Sequence, residues 1–438
     1  MTYRILFDAT ILAEGLHKTS NRSGIFWASY GIFGALAARE DVEMGIYASP
    51  SAVDSVNRFM DECFSERGYR VVNRKRSCFL GPLRELIEDL REIPANKRGW
   101  RKIVLQGMGM AVKIARVLWD KYMCRRSEAR IAEGFDLFFS PVYLAPRAIR
   151  KYSGIPRVTL LYDAIPMLYP QFSPFTMLGF SWNFDLIRGL SETDYCFAIS
   201  ECTKRDFMRF NPRLKDDHIS VLPLAADEKF YHETDASKRK AVRKKYGIPL
   251  DKRYVLSLCT IEPRKNLGFA LEAFGKFVEN SHADDVVFVL AGGQWGRFEG
   301  KWSATLAKLS HLKDKIVHAG YIDDEDLAAL YSDALMFIYP SLYEGFGLPP
   351  LEAMQCGCPV ITSNVSSLPE VVGDAAVAIA PDDLDAAAAA MSKIYSNESF
   401  RSQLADGGME RAREFSWAKT AEKIVRGFDT ISAGKSEK

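Results

Sequence analysis

Short apolar runs recur through this chain, each closed by glycine, proline or a polar turn and followed by apolar residues at helical spacing. Runs of this length, rich in β-branched and aromatic residues, predict buried strands. In chain order they are Arg4–Phe7, Phe135–Phe139, Arg157–Tyr162, Tyr195–Ile199 and Ile219–Pro223. Past a polar stretch, Ala225–Asp235, come Tyr254–Cys259, Val286–Leu290, Lys315–Ala319, Ala334–Pro340, Pro359–Thr362 and Ala375–Ala380. Helical runs lie between them, among them Phe26–Ala38, one from near Asn266 and an Ala-rich one from Asp382. Strand and helix in alternation predict an α/β architecture of doubly wound parallel sheets. At 438 residues the chain exceeds what one core ordinarily organises, so two domains are expected, 1–228 and 236–414.

The sharpest chemical pattern follows the Ala334–Pro340 run. Ser341 to Gly357 reads Ser-Leu-Tyr-Glu-Gly-Phe-Gly-Leu-Pro-Pro-Leu-Glu-Ala-Met-Gln-Cys-Gly, a glycine turn leading into a helix. Gly345 and Gly347 permit backbone conformations and a close ligand approach that side chains block, and Pro349-Pro350 suits the first helical positions. Backbone N–H groups at such a turn and helix start, over Gly345, Phe346, Gly347 and Leu348, suit an anion such as a diphosphate. Glu344 in the turn and Glu352 one turn into the helix can meet the same ligand, and ionised carboxylates pair with hydroxyls. Phosphate together with polyol points to a nucleotide sugar. Taken singly, Glu344 reads as a solvated loop residue and Glu352 as a first-turn residue favoured by the helix dipole. Their spacing around the glycine turn is what favours a site.

Other residues join it by position. Arg264-Lys265 follows the Tyr254–Cys259 strand and precedes a helix, placing two cations where a diphosphate would be neutralised; the alternative is a basic surface pair. Gly24, in Ser23-Gly-Ile-Phe26, lies beyond the carboxyl end of the first strand, where doubly wound sheets open their ligand crevice. Asp163 also ends a strand, and either orients an acceptor hydroxyl or caps a turn. Ser200 reads as a helix cap.

Composition narrows the field. With 58 basic and 56 acidic residues the net charge is +2, and nothing global favours a nucleic-acid partner. No Gly-x-Gly-x-x-Gly fingerprint is present, which counts against a dinucleotide oxidoreductase. Eight cysteines are scattered without a Cys-x-x-Cys pair and six histidines lack ligand spacing, so no metal or other cofactor is expected. Met1–Asp8 enters a strand without the basic and apolar regions of a signal peptide, which predicts a cytoplasmic protein. Residues of about 80–131 are basic and read as helical. A helix over Lys102–Met123 would carry Lys102, Gln106, Gly109, Lys113, Arg116 and Asp120 on one polar stripe, with Arg125, Arg126 and Arg130 beyond it. Two readings of this stretch stand: it lies on an anionic membrane surface, at the inner face of the plasma membrane, or it packs on the first domain with a solvated basic edge.

Glu344 to Glu352 resembles the Glu-x7-Glu signature of the family-4 retaining glycosyltransferases of the GT-B fold. Tyr254-Val-Leu-Ser-Leu-Cys-Thr-Ile-Glu-Pro-Arg-Lys-Asn-Leu267 resembles the segment carrying that family's Arg-Lys pair. His318-Ala-Gly-Tyr-Ile-Asp-Asp324 resembles its nucleotide-binding strand end. The likeness covers most of residues 240–415 and thins toward the N-terminus, where Gly24 matches a glycine-rich loop only loosely. It implies two Rossmann-like domains facing across a cleft, acceptor on the N-terminal side and donor on the C-terminal side, with a helix of about 415–432 returning to the first domain. It also implies retention of configuration without a divalent metal. Arg264 and Lys265 would then stabilise the departing diphosphate, and Glu344 with the Gly345–Gly347 amides would hold the transferred sugar. Glu352 would bind ribose, with Tyr321 and Ile322 near the base. Ile165–Pro170 is similar to mannosyl- and rhamnosyltransferases, which implies polysaccharide assembly from GDP-mannose or a similar GDP, UDP or dTDP sugar onto a glycan or lipid-linked glycan.

One position departs from the family. Tyr162-Asp163 stands where the family begins His-Asp, and a tyrosine, titrating at about 10, does not inherit a histidine's role. That keeps a catalytically silent nucleotide-sugar-binding partner in view, beside a GT-B sugar-nucleotide epimerase; a phosphorylase would need a pyridoxal lysine, for which the sequence has no evident motif.

Overall fold

The computed structural model describes residues 2–16, 24–50, 52–73, 130–172, 182–293, 307 and 309–436. Its strands form two six-stranded parallel sheets. The first holds β1 (Tyr3–Asp8), β2 (Val42–Tyr47), β3 (Leu137–Ser140), β4 (Arg157–Leu161), β5 (Tyr195–Ala198) and β6 (Ile219–Val221), in the order β2-β1-β3-β4-β5-β6. The second holds β7 (Arg253–Leu258), β8 (Val286–Ala291), β9 (Ile316–Gly320), β10 (Met336–Tyr339), β11 (Val360–Ser363) and β12 (Val377–Ile379), in the order β12-β11-β10-β7-β8-β9. Strands covered by helices on both faces should be apolar throughout rather than alternating. Val286–Ala291 and Met336–Tyr339 are buried at every position, which is why they stand out as unbroken apolar runs.

The predicted strands fall where expected, with ends moved by one or two residues, as terminal pairs fray. β2 has no forerunner among the predicted runs. Its sequence, Val-Glu-Met-Gly-Ile-Tyr, mixes an acid and a glycine into an edge strand beside β1. The glycine has a packing reason: a Cβ on Gly45 would lie 2.2 Å from the Phe135 ring. The basic stretch of about 80–131, including the expected helix Lys102–Met123, lies outside the described residues apart from Arg130 and Ile131. Among the described residues no helix is long and apolar enough to cross a membrane.

Asp235 ends the segment between the sheets and caps helix Ala236–Lys245, its Oδ1 accepting from Ser237 N at 2.8 Å. The last helix, Trp417–Ser436, returns to the first sheet. Phe428 packs against Tyr3, Phe139 and Phe197 with ring centroids 5.9, 6.2 and 6.3 Å away. Thr420 Oγ1 donates to Pro223 O at 3.0 Å. Two glycines let this helix settle on the first domain, since a Cβ on Gly427 would meet the Phe197 ring of β5 at 2.6 Å and one on Gly31 the Trp417 ring at 2.3 Å. Burying these rings ties the end of the chain to its beginning, at about 25 cal/mol per Å² of apolar surface.

Candidate active site

The second sheet reverses its winding once. The chain passes from β7 to β8 to β9 on one side, then returns to β10 on the other side of β7. At such a point the connections beyond neighbouring carboxyl ends diverge and leave a crevice. β10 pairs with β7 through Met336–Val255 and Phe337–Leu256, so the turns leaving these strands are neighbours. They are also bonded to each other. Leu342 N donates to Arg264 O at 2.8 Å, and Ser341 Oγ lies 3.1 Å from the same carbonyl.

Glu344 is the centre of this junction and is only 8% exposed. Its Oε1 accepts from Lys265 Nζ at 2.7 Å, Tyr339 OH at 2.8 Å and Ser341 Oγ at 2.6 Å. Its Oε2 lies 2.7 Å from Arg264 Nη1. Arg264 reaches Glu262 at 2.6 Å and donates to Tyr343 O at 2.6 Å, while Lys265 Nζ also donates to the Tyr339 hydroxyl. Buried charges persist when paired and hydrogen-bonded in this way. Burial opposes the Glu344 charge, but Lys265 and Arg264 overcome it and hold the carboxyl down to about 2. Burial likewise works against Arg264, and Glu344 and Glu262 outweigh it, keeping the guanidinium charged.

The remaining donors define what the junction can bind. An ammonium has three N–H groups, of which Glu344 and Tyr339 take two from Lys265, leaving one. The amides of Gly345, Phe346 and Gly347 find no acceptor among the described residues, though all three residues are buried. Buried backbone N–H groups are almost always paired, so this turn is built for an acceptor from outside. Gly347 has φ 137°, a conformation that requires glycine. Pro349 and Pro350 carry no N–H, so the amides of the turn, rather than the first turn of helix Leu348–Gln355, supply most of the donors.

Glu352, on that helix, opens on a separate pocket lined by Trp27, Lys229, Phe230, Asp324, Leu348 and Trp417. Tyr331 OH donates to its Oε2 at 3.3 Å. Lys229 Nζ lies 3.1 Å from an Asp324 oxygen and 3.9 Å from the centroid of the Trp27 ring. Burial pushes the Glu352 carboxyl up to about 7, with Lys229 partly offsetting it. The folded value exceeds the ordinary 4.5. The folded state therefore keeps its proton where the unfolded chain has lost it, and stability falls as pH rises between the two values. An ionised carboxylate accepts from hydroxyls more strongly than a neutral acid. Affinity for a hydroxyl-bearing ligand in this pocket is expected to rise as pH increases through about 7, and Glu352→Gln to flatten that profile while stabilising the unliganded protein at alkaline pH by about 1 kcal/mol or more. Nucleotide titrations and thermal unfolding on either side of neutrality check this. A pH-independent affinity in the wild type would contradict it.

The N-terminal sheet supplies the facing wall. A Cβ on Gly345 would lie 2.4 Å from Tyr162 O and 2.8 Å from Asp163 Cβ, so only glycine allows the two sheets' loops to meet here. Asp163 caps its own turn, accepting from Ile165 N at 3.0 Å. Burial pushes its carboxyl up, against the pull of Arg264. Tyr162 is turned away: it is 3% exposed, with its hydroxyl 3.2 Å from Ser29 Oγ inside the first domain. Gly24 begins helix Gly24–Ala37, and a Cβ there would touch Leu348 at 3.7 Å. Phe346 packs edge-on against Phe415, with centroids 6.0 Å apart. Tyr321 is 71% exposed, whereas Ile322 is buried in the core.

Sequence reasoning missed Tyr339, Glu262 and Ser341, all of which lie in or beside the quoted motifs. It also missed Trp27 and Lys229, which no local pattern marks. Among the described residues no three His, Cys, Asp or Glu side chains gather so as to hold a metal.

Residues 238–411 match the family described as Glycosyl transferases group 1. The chain is 30% identical over 296 residues to O-antigen chain mannosyltransferase B of Escherichia coli, covering 67% of this chain and 74% of that protein. It is 28% identical over 291 residues to the serotype-specific mannosyltransferase WbdA of E. coli, covering 64% of this chain and 34% of the relative, and so spans about a third of that longer protein. Among solved structures, HepE of Anabaena in complex with UDP and glucose superposes with a TM-score of 0.64 at 16% identity, over 98% of this chain and all of that one. WaaG, a glycosyltransferase involved in lipopolysaccharide biosynthesis, gives 0.60 at 16% identity, over 96% of this chain and 98% of that one. These two likenesses establish the GT-B fold. The chain belongs to the group 1 glycosyltransferases, the family-4 enzymes of that fold.

Proposed function

We propose that the protein transfers a mannosyl group from GDP-mannose, or a closely similar GDP, UDP or dTDP sugar, to a glycan or lipid-linked glycan, with retention of configuration and without a divalent metal. The observation that carries this is the junction at the switch point. Two buried cations with spare donors, Arg264 and Lys265, stand beside three turn amides that have no acceptor among the described residues, and a carboxylate pocket opens next to them. The diphosphate fits between the cations and the turn amides, and the ribose fits the carboxylate pocket.

During transfer the bond from the sugar's anomeric carbon to the β-phosphate oxygen breaks, and negative charge gathers on the departing diphosphate. Arg264, Lys265 and the turn amides meet that charge as fixed donors, which is how preorganised sites lower a barrier. The acceptor oxygen bonds to the same face of the anomeric carbon, and its proton passes to the departing phosphate. Asp163, at the facing wall, orients the acceptor hydroxyl. Glu344 takes a different part from the one its position in the turn implies. Four donors converge on its two oxygens, so it aims the cations, and the transferred sugar lies beside the turn. The mannosyl assignment rests on the two E. coli relatives, both of which are mannosyltransferases.

Tyr162 favours the alternative of a silent binding partner, because its buried hydroxyl cannot reach the cleft. Incubation with a panel of nucleotide sugars in excess chelator separates the two. Turnover of GDP-mannose supports transfer, and binding of nucleotide sugars without turnover supports the silent partner. Turnover that requires added Mg²⁺ or Mn²⁺ contradicts the metal-free mechanism.

A further inference from the structure

The turn that holds the diphosphate in this reading is gripped from both sides, and one grip comes from the other domain. Ser200 Oγ lies 2.7 Å from Gly345 O. Thr203 Oγ1 lies 3.1 Å from the same carbonyl and 2.9 Å from Tyr162 O. Both hydroxyls are buried, at 2% and 1% exposure, and both begin helix Glu201–Phe210 of the N-terminal domain. Each has a single proton to donate. Ser200 gives its own to Gly345 O, and Thr203 links the walls of the cleft. Two residues before Gly345, Tyr343 OH donates to Asp206 Oδ2 of the same helix at 2.7 Å.

The C-terminal domain reciprocates. Glu370 sends its carboxylate across to that helix, accepting from Glu201 N at 2.7 Å and Cys202 N at 2.8 Å. These are first-turn amides that a helix cannot satisfy internally, and an acidic partner there is favoured by the dipole. Ser367, three residues before Glu370, holds the far side of the turn, donating to Glu344 O at 2.9 Å or Phe346 O at 2.6 Å. The short segment Ser367–Glu370 therefore bonds to the turn and to the helix that presses on it.

We propose that Ser200, Thr203 and Glu370 are positioning residues for the transfer: seating helix Glu201–Phe210 on Tyr343–Gly347 completes the diphosphate cradle, so the donor site reaches working geometry only when the domains are closed. The physical step lies in one peptide plane. In a trans peptide the carbonyl of Gly345 and the N–H of Phe346 point in opposite directions. Fixing that oxygen on Ser200, with Thr203 as the alternative donor that it shares with Tyr162 O, fixes the direction of an amide that has no acceptor among the described residues. With the domains apart, the Gly345 carbonyl loses the Ser200 hydroxyl and the plane is free to turn. This inference rests on the turn being the diphosphate cradle.

The test compares wild type, Ser200→Ala/Thr203→Val, Thr203→Ser and Glu370→Gln in steady-state transfer from GDP-mannose, beside direct titration with GDP. Ser200→Ala/Thr203→Val is expected to lower kcat tenfold or more and to weaken GDP binding by a smaller factor, because the ribose pocket around Glu352 is untouched while the diphosphate charge grows only during transfer. Thr203→Ser, which keeps the hydroxyl, should stay within twofold of wild type. Glu370→Gln should fall between, since its amide oxygen still accepts one of the two bonds. A residue that served only stability would lower the unfolding midpoint and leave kcat unchanged in the folded fraction. If the double variant folds poorly, Ser200→Ala alone carries the comparison, with a loss of threefold or more expected. A kcat within twofold of wild type in the folded variant overturns the inference and leaves the diphosphate reading standing. Wild-type protein that neither binds GDP nor turns over any nucleotide sugar overturns the reading itself.

Discussion

Lys265→Ala is expected to lower kcat by about 10²–10³, roughly 2.7–4 kcal/mol, the usual loss when one preorganised donor is removed from developing charge. KM for the donor should change much less. The charge on the diphosphate grows only as the glycosidic bond breaks, so the contact is worth most in the transition state. The structure adds a reason for the size of the loss. Lys265 is held by Glu344 and Tyr339, so its spare N–H is already aimed before substrate arrives. Arg264 shares the same carboxylate and limits the loss from above. A kcat within threefold of wild type would place the diphosphate elsewhere.

Glu344→Gln should have the largest effect on stability. It removes the negative partner of two cations that are each about 11–12% exposed at the side chain. Breaking a buried ion pair from one side costs about 3–5 kcal/mol, because the remaining charge is left in low dielectric. The sign with pH follows from the depressed carboxyl. Its contribution is fully present above the ordinary 4.5 and is lost as pH falls toward about 2. Urea unfolding of wild type and variant at neutral pH and near pH 3 checks both parts: the gap between them should be wide at neutral pH and narrow in acid. Equal midpoints at neutral pH would mean that Glu344 does not hold the cations together. Turnover should fall as well, since Lys265 and Arg264 lose the group that aims them.

Much of the fold was legible because fully covered parallel strands are written as continuous apolar runs. Val286–Ala291 and Met336–Tyr339 could hardly be read otherwise. β2 was not legible, because an edge strand tolerates Glu43 and Gly45 and its glycine answers to Phe135, far along the chain. The candidate site was legible to the extent that its chemistry is local in sequence. Glu344, the glycines and Glu352 share one segment, and Arg264-Lys265 another. Their meeting follows from the pairing of β7 with β10. What the residues do to one another was hidden. Glu344 is paired with two cations, because the partner turn delivers them to its oxygens. Lys229 reaches Asp324 and Trp27 from a linker that carries no pattern. Ser200 reads as a helix cap and is one, accepting from Thr203 N, yet its proton goes to the opposite domain. Contacts across the cleft join residues more than 140 apart, and no local spacing records them.

The central claim, sugar transfer with retention at this junction, is tested most directly by the stereochemistry of one product. GDP-mannose of defined α configuration is supplied with a mannose-terminated acceptor in excess chelator, and the configuration of the new linkage is read by NMR. An α-linked mannosyl product is the result expected when the acceptor enters on the face the diphosphate leaves. A β-linked product would contradict that account of the site.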